Sequence, residues 1–303
     1  MIFNYKTKKD RQRGMEFLLA NRYDSIFNKH PPDLVSKYIH KNINRILFTL
    51  GLLPPLETKT RVLEIGAMPY CFSTLLIETF SCEVTTLDLP QTLFPGEPYT
   101  IEKEEIKIPN SITKKEYKVT SWTCNAEKDA FPFKDATFDL VICTEVLEHL
   151  LYSPDHLFKE SSRVLDDRGL MLISTVNSLH FKRMADIILN ENIDDIHSPL
   201  GPYGRHNRNW KRTELIELSE RNSFKVRFVT SATLRGVRMD DTKSEVCPLG
   251  NKVNDKNQKN GFLKKTKKSL RKLFLNIIKV IVFLPLPGMK DKRFCNIFLL
   301  LEK

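Results

Sequence analysis

The sequence lacks the features that would assign it to a secreted, zinc-finger or repeat protein. Its six cysteines are scattered, with no Cys-x-x-Cys pair and no Cys/His spacing suited to a metal, which predicts buried thiols in a reducing compartment. The first residues, MIFNYKTKKDRQRG, are charged where a secretory signal would be apolar, and no internal repeat is present. With 41% hydrophobic residues among 303, these absences predict a cytoplasmic globular protein.

Glycine is scarce where a nucleotide-binding loop is expected. The stretch RVLEIGAMPYCFS, residues 61–73, has the pattern of a buried strand, a turn and a helix, but its one glycine is Gly66. Loops that hold a pyrophosphate usually need several glycines, and here Met68, Pro69 and Tyr70 stand in the later positions. The pattern therefore argues against a ligand held by its phosphates, and argues less strongly against a ligand that has none.

Positive charge is plentiful and unevenly distributed. The formal net charge is +11, and basic residues are concentrated at 6–13 and 264–272. Residues 262–285 have a helical pattern that is basic at first and almost wholly apolar afterwards, and the apolar part is shorter than the ~20 residues that span a bilayer.

We interpret the 262–285 segment as a helix on an anionic membrane surface, which would place the protein at the inner face of a membrane. The alternative is a helix packed on the domain with a solvated basic face. Nucleic acid is a less favoured partner, because aromatic residues do not alternate with the basic ones.

The spacing of apolar residues divides the chain into two parts. Residues 1–58 have helical spacing and predict a helical extension, whereas residues 59–303 alternate strands and helices. This alternation predicts an α/β domain with a doubly wound, mostly parallel sheet and right-handed crossovers. The charged stretch 101–119 is predicted to be an exposed loop or hairpin, and a long insertion, 235–292, precedes the last strand.

Small and polar residues stand at the ends of the predicted parallel strands, where a doubly wound sheet binds its ligand. Gly66 lets the backbone approach a ligand closely, Asp88 can accept from two ribose hydroxyls, and Asn125 can pair with a base edge. Taken singly, Gly66 is explained by a turn and Asp88 by a helix N-cap; their succession at consecutive strand ends indicates a cofactor site. The strand-end residues are Glu64, Gly66, Ala67, Asp88, Asn125, Ala126, Thr144, Glu145, Glu148, His149, Thr175 and Asn177.

Several stretches carry a resemblance to a known family: VLEIGA, VTTLDLP, NAEKDAFPFKDATFDLVICTEVLEHL, LFKESSRVLDDRGLMLISTVN and YGRHNRNWKRTELIELSERNSFKV. They resemble the class I S-adenosylmethionine-dependent methyltransferases, and most closely the group that includes ubiquinone-biosynthesis O-methyltransferases and enzymes of bacterial glycan clusters. The resemblance implies a Rossmann-like sheet of seven strands with an antiparallel last strand. The helical extension and the insertion lie outside it.

The resemblance also implies roles for individual residues. The first loop would support the methionine and ribose end of S-adenosylmethionine, and the acidic residue after the second strand would bind the ribose hydroxyls. The implied contacts are Glu64, Gly66 and Ala67 in the first loop, Asp88 for the ribose, Leu89, Asn125 and Ala126 for adenine, and Thr144 near the methionine. The family commonly places further glycines in the first loop, so the departure here leaves a non-catalytic cofactor-binding homologue as an alternative.

The stretch TEVLEHL contains several side chains that can bind a metal or transfer a proton. We predict a helix in which Glu145, Glu148 and His149 share one face, and His206 can join them. Two carboxylates and two imidazoles can bind a divalent metal, Mg or Zn, and the set resembles the metal site of small-RNA 2′-O-methyltransferases and some quinone O-methyltransferases. The alternatives are that Glu148 and His149 only fix the helix, or that His149 or His206 is a general base; Glu145 is a further catalytic candidate.

The predicted activity is transfer of a methyl group to a hydroxyl of a glycan, a lipid-linked intermediate or a small metabolite. The cofactor supplies the activated methyl group, and the protein aligns acceptor and methyl. An RNA 2′-O-methyltransferase that uses the metal site is the alternative from another class.

Overall fold

A mixed sheet of eight strands forms the centre of the computed structural model, which describes residues 7–23, 32–89, 98–180, 202–232, 234 and 296–303. The predicted insertion at 235–292, with its basic segment 262–285, lies outside the described residues. The strands are β1 (Arg61–Ile65), β2 (Glu83–Asp88), β3 (Lys103–Pro109), β4 (Glu116–Thr123), β5 (Phe138–Thr144), β6 (Leu165–Val176), β7 (Lys225–Ala232) and β8 (Asn296–Glu302).

The strand order is β3-β4-β2-β1-β5-β6-β8-β7. The five central strands, from β4 to β6 in this order, pair in parallel, and β8 is antiparallel to both β6 and β7. The predicted antiparallel last strand is therefore confirmed. The order reverses at β1, which pairs with β2 on one side and β5 on the other, so ligand-binding loops are expected at the carboxyl ends of these strands.

The prediction of seven strands was wrong by one. The charged stretch at 101–119 folds into a hairpin in which β3 pairs antiparallel with β4 at the edge of the sheet. Most side chains of β3 are exposed, and Lys103, Glu104, Glu105 and Lys107 among them are charged. Charged side chains keep an edge strand from pairing with other chains. The hairpin is one of the two forms predicted for this stretch and is confirmed. Its first strand was left out of the predicted sheet because the charges interrupt the buried alternation that marks a strand.

Helices cover both faces of the sheet. They are α1 (Lys8–Leu19), α2 (Pro32–Leu50), α3 (Cys71–Phe80), α4 (Asp155–Val164) and α5 (Arg212–Arg221). On one face α1, α2 and α3 share a hydrophobic cluster with β1, and on the other α4 and α5 pack with β5 and β6. This is the doubly wound arrangement that the sequence predicts.

The two N-terminal helices are packed tightly onto the sheet. Their buried residues, among them Phe17, Ile43 and Leu47, belong to the same cluster as Val62 of β1. At Gly14 an added Cβ would lie 2.9 Å from a methyl carbon of Leu47, so the helices touch where α1 has no side chain. The division at residues 58 and 59 stays a prediction. No described helix is long and apolar enough to cross a bilayer.

Candidate functional site

Two residues of the loop after β1 have a left-handed backbone conformation, Gly66 and Tyr70. Gly66 has φ +73°, and an added Cβ would lie 2.5 Å from Cγ2 of Val146, so both its conformation and its surroundings require glycine. Tyr70 has φ +61° and is 1% exposed, which means that the packing of its ring maintains a conformation that glycine usually takes. The loop therefore has a fixed shape although it contains one glycine.

Glu64 is buried at the end of β1. It is 3% exposed and accepts a hydrogen bond from Ser73 Oγ at 2.5 Å. Burial raises the pKa of Glu64 to about 8, against the opposing effect of the Ser73 hydrogen bond. A cationic ligand group next to it would favour its charged form.

Asp88 ends β2 and reaches the first loop. Its Oδ1 accepts from the Met68 N–H at 3.1 Å, while its buried Oδ2 accepts no hydrogen bond of ordinary geometry from the residues that the structure describes. Burial raises the pKa of Asp88 to about 6, although the Met68 N–H, the nearby Thr86 hydroxyl and the Ala67 N–H oppose this. An unsatisfied buried carboxylate oxygen fits a ligand hydroxyl, as the ribose assignment requires.

Asn125 shapes the loop after β4 with most of its polar atoms. Its Oδ1 accepts from the Glu127 N–H at 2.9 Å and its Nδ2 donates to the Tyr203 hydroxyl at 3.1 Å. Its own N–H is shared by Asp129 Oδ2 and the Tyr99 hydroxyl. One hydrogen of the Nδ2 group remains to donate to a base. Pairing of Asn125 with adenine therefore stays a prediction, and it rests on this one donor rather than on a donor and an acceptor. Ala126 is buried beside it, and Leu89 is half-buried after β2.

Helix α2 contributes four residues to this site that sequence reasoning missed. Tyr38 and Arg45 line a cavity together with Glu64, Gly66 and Thr144. Tyr38, Asn42, Arg45 and Thr49 recur at helical spacing, but the helix has other polar residues, Ser36, Lys37, His40, Lys41 and Asn44 among them, so this spacing was a weak signal. The full lining is Tyr38, Arg45, Ile46, Thr49, Glu64, Gly66, Ala67, Pro69, Cys71, Phe72 and Thr144.

Arg45 is a buried cation with modest contacts. It is 9% exposed, and its Nη2 donates to the Tyr38 hydroxyl and to Asn42 Oδ1, both at 3.3 Å. Its Nε lies 3.8 Å from Glu145 Oε2, which is an ion pair without a short hydrogen bond. Because Nη2 is engaged and Nε faces Glu145, Nη1 is the group through which Arg45 could donate to a ligand carboxylate in the cavity.

The segment after β5 is not the predicted helix. Glu145 has φ +56°, and only Leu147–His149 form a turn of 3₁₀ helix. The physical reason is that Glu145 is held at the sheet: its N–H donates to the Ser174 carbonyl at 2.8 Å, and its carboxylate accepts from Ser174 Oγ at 2.8 Å and from Asn296 Nδ2 at 2.9 Å. A residue bound to β6 and β8 in this way cannot begin a helix in the predicted register.

Three of the four predicted metal-site residues come together. Glu148, His149 and His206 each offer a ligand atom, and these atoms lie within 4.8 Å of one another; Glu145 is not part of this group. The His149 and His206 rings meet edge to face with centroids 5.0 Å apart.

His149 is held as a neutral imidazole with a defined orientation. Its Nδ1 lies 3.0 Å from the Arg205 carbonyl, which assigns the proton to Nδ1 and leaves the Nε2 lone pair for a metal or a proton. Burial lowers the pKa of His149, with the Arg205 carbonyl acting in the opposite direction.

Glu148 is the buried carboxyl group of the cluster. It is 1% exposed, and its Oε2 accepts from Thr175 Oγ1 at 2.7 Å. Burial, followed by the nearby charge of Glu145, raises the pKa of Glu148 to about 8. A bound cation would offset both effects, so the donor set of one carboxylate and two imidazoles fits a divalent metal such as Zn.

Comparison with known proteins decides the family. A family model described as a methyltransferase domain matches residues 34–228, well over half of the chain. The chain belongs to the class I S-adenosylmethionine-dependent methyltransferases. The predicted class is confirmed, and the narrower ubiquinone and glycan-cluster group stays a prediction.

Curated relatives match the methyltransferase over short stretches. A protein of Mycolicibacterium smegmatis, named as a probable S-adenosylmethionine-dependent methyltransferase, is 34% identical over 95 residues, 31% of this chain and 32% of its own length. An uncharacterised protein of Methanocaldococcus jannaschii is 46% identical over 46 residues, 15% of this chain and 20% of its own. The chain thus covers a third or less of the length of these relatives.

Solved structures with a similar fold are distant in sequence. A methyltransferase of Archaeoglobus fulgidus is 12% identical, with TM-score 0.45 and coverage of 93% of this chain and 98% of that one. Phosphoethanolamine N-methyltransferase 2 of Haemonchus contortus is 13% identical, with TM-score 0.46 and coverage of 93% and 60%.

A short segment of the methyltransferase, residues 203–210, explains how His206 reaches the cluster. We call it the strap. The Asn207 N–H donates to the Glu148 carbonyl at 2.7 Å, and Asn207 Nδ2 donates to the His149 carbonyl at 2.8 Å. These bonds hold His206 against the 3₁₀ turn, although it is distant in sequence.

Proposed function

We propose that the protein transfers the methyl group of S-adenosylmethionine to a hydroxyl group of a glycan, a lipid-linked intermediate or a small metabolite. The observation that carries the proposal is the neutral, oriented His149 beside buried Glu148 and His206, next to strand ends that fit the cofactor. Such a cluster can accept a proton from a hydroxyl, whereas methyl transfer to an amine needs less help of this kind.

The residues at the strand ends fit the parts of S-adenosylmethionine. Asp88 Oδ2, which accepts no ordinary hydrogen bond from the residues that the structure describes, would accept from a ribose hydroxyl. Glu64 would face the ammonium, and Arg45 would hold the carboxylate. The cofactor supplies an activated methyl group on a sulfonium. The chain then has to bind and orient the two substrates, which is worth about 7–11 kcal/mol of the barrier.

A divalent metal at Glu148, His149 and His206 would make the hydroxyl more acidic and position it. The donor set supports this proposal; Glu145, which we predicted as a ligand, is engaged with Ser174 and Asn296 instead. The alternative is that His149 acts as the base without a metal.

Metal analysis separates these two chemistries. The protein is purified, stripped with chelator and reloaded with Zn²⁺, Mn²⁺ or Mg²⁺, and methyl transfer is followed with labelled cofactor. Metal-dependent activity that is lost in His206→Gln supports the metal. Full activity after stripping leaves His149 as the base.

RNA 2′-O-methylation is the second candidate, and the same donor set is what favours it. Labelled cofactor incubated with total RNA and with fractionated glycan and lipid extracts distinguishes the acceptors. Metal-dependent label in RNA would replace our first proposal. A protein that binds cofactor and labels none of the fractions would be the non-catalytic homologue.

A membrane surface is a further proposed partner, on the sequence of residues 262–285 alone. The test is flotation with vesicles that contain anionic lipid, comparing the full chain with a variant in which Lys264, Lys265, Lys267 and Lys268 are replaced by Gln. Retained flotation of the wild type and loss in the variant support contact at an anionic surface. Equal flotation of both removes the proposal, and with it the placement of the protein at the inner face of a membrane.

A further inference from the structure

The strap touches both halves of the proposed site. At its first residue, the Tyr203 hydroxyl accepts from Asn125 Nδ2 at 3.1 Å, on the cofactor side. Two residues later, the Arg205 carbonyl accepts from His149 Nδ1 at 3.0 Å, on the acceptor side. The next residue is His206 itself. One short segment therefore connects the loop after β4 with the histidines.

The histidine end of the strap is firmly attached. Asn207 binds the Glu148 and His149 carbonyl groups, and Trp210 Nε1 donates to the Leu147 carbonyl at 3.3 Å. Trp210 is 4% exposed and forms an isolated bridge with Asn177 beyond β6. A shift of the strap at Tyr203 would therefore be carried to the 3₁₀ turn rather than absorbed by loose chain.

The Tyr203 hydroxyl can accept one hydrogen bond and donate another. Burial raises the pKa of Tyr203 to about 12, and the nearby Glu127 carboxylate acts in the same direction, so the hydroxyl keeps its proton at neutral pH. It accepts from Asn125 and retains a proton to donate. Glu127, whose Oε1 accepts from the Tyr152 N–H at 2.7 Å, belongs to the same loop as Asn125. The position of the Tyr203 hydroxyl therefore depends on how that loop is arranged.

We propose that Tyr203 is a positioning residue that couples cofactor binding to the placement of His149 and His206. The inference rests on the proposed function, since it takes the adenine side of the cofactor to lie at the Asn125 loop and the reacting hydroxyl at the histidines. The cofactor orders the Asn125 loop, the Asn125–Tyr203 hydrogen bond transmits this to the strap, and the strap fixes the two imidazoles.

Hydrogen exchange of the full chain, measured by mass spectrometry with and without S-adenosylhomocysteine, tests the coupling. The variant is Tyr203→Phe. The matched control is Tyr99→Phe, because the Tyr99 hydroxyl also contacts Asn125, through its backbone N–H at 3.1 Å, but lies outside the strap. In the wild type and the control we expect the ligand to slow exchange in residues 203–210 by about fivefold or more, a typical size for coupled sites. In Tyr203→Phe the ligand still binds, within about tenfold of the wild-type affinity by calorimetry, and the slowing falls below about twofold.

Each other outcome has a definite meaning. Equal slowing in Tyr203→Phe and the wild type overturns the coupling, as does a wild type that binds the ligand without any change in the strap. A wild type that does not bind S-adenosylhomocysteine contradicts the proposed function itself, and the coupling fails with it. Should Tyr203→Phe not fold, Asn125→Ser keeps a side-chain oxygen that can accept from the Glu127 N–H but is too short to reach the Tyr203 hydroxyl, and with ligand bound it must lose the same slowing.

Discussion

Replacing Asp88 by Asn tests the cofactor site without disturbing the fold. The amide has the shape of the carboxyl group, and its oxygen can still accept from the Met68 N–H that Oδ1 now receives at 3.1 Å. What changes is the charge and the buried Oδ2, which accepts no ordinary hydrogen bond from the described residues. We therefore expect opposite effects on binding and on stability.

The loss in binding follows from the contact that Oδ2 would make. A hydrogen bond to a charged acceptor contributes about 1.5–3 kcal/mol, and each 1.36 kcal/mol is a factor of ten, so the affinity for S-adenosylhomocysteine should fall about 10- to 150-fold. Isothermal titration calorimetry measures this directly. The control is Glu105→Gln on the exposed edge strand β3, which should bind as the wild type does.

The effect on stability has the opposite sign. The pKa of Asp88 rises from 3.8 when unfolded to about 6 when folded, so the folded protein holds this proton more tightly and its stability declines as the pH rises between these values. At pH 8 the charged form costs up to about 3 kcal/mol at 1.36 kcal/mol per unit, and Asp88→Asn should unfold at the same or higher urea concentration. At pH 4 the two proteins should be alike.

Two results would refute the reasoning on Asp88. Affinity within threefold of the wild type would show that Oδ2 does not contact the cofactor. A variant that is clearly less stable than the wild type at pH 8 would show that the buried charge is satisfied in the fold.

Three further outcomes are expected. Gly66→Ala places a Cβ 2.5 Å from Val146 in a left-handed conformation and should lower the free energy of unfolding by about 1–3 kcal/mol; thermal unfolding checks this, and Val146→Ala in the same chain should restore part of it. Arg45→Met removes the cation that would meet the methionine carboxylate and should weaken S-adenosylhomocysteine binding about tenfold, whereas unchanged calorimetry would exclude that contact. Asn110→Ala removes bonds to Asn21 Oδ1 at 2.6 Å and to the Phe17 carbonyl at 2.9 Å and should cost about 2–3 kcal/mol in urea unfolding, against less than about 0.5 kcal/mol for the exposed Ser111→Ala.

The sequence was sufficient where local pattern and structure agree. The apolar runs of β1 and β5 are buried in the centre of a parallel sheet, and runs of that kind are the expected signal of such strands. Asp88 and Asn125 follow their strands as predicted, because the carboxyl ends of parallel strands meet at one edge of the sheet.

The sequence was insufficient where distant residues decide the conformation. TEVLEHL has helical spacing, but Glu145 is bound by Ser174 and by Asn296, 151 positions away. Arg45 belongs to a helix that the resemblance does not cover, and its carboxylate partner is again Glu145. Such contacts leave no local pattern, so only the folded chain shows them.

Transfer of a labelled methyl group into fractionated extract tests the central claim most directly. The wild type is incubated with methyl-labelled S-adenosylmethionine, alongside Asp88→Asn and His149→Gln, and the label is followed into glycan, lipid, metabolite, protein and RNA. The account predicts label in a hydroxyl-bearing glycan, lipid or metabolite with the wild type, and little or none with either variant at limiting cofactor. No label in any fraction, from a wild type that binds the cofactor, would contradict it.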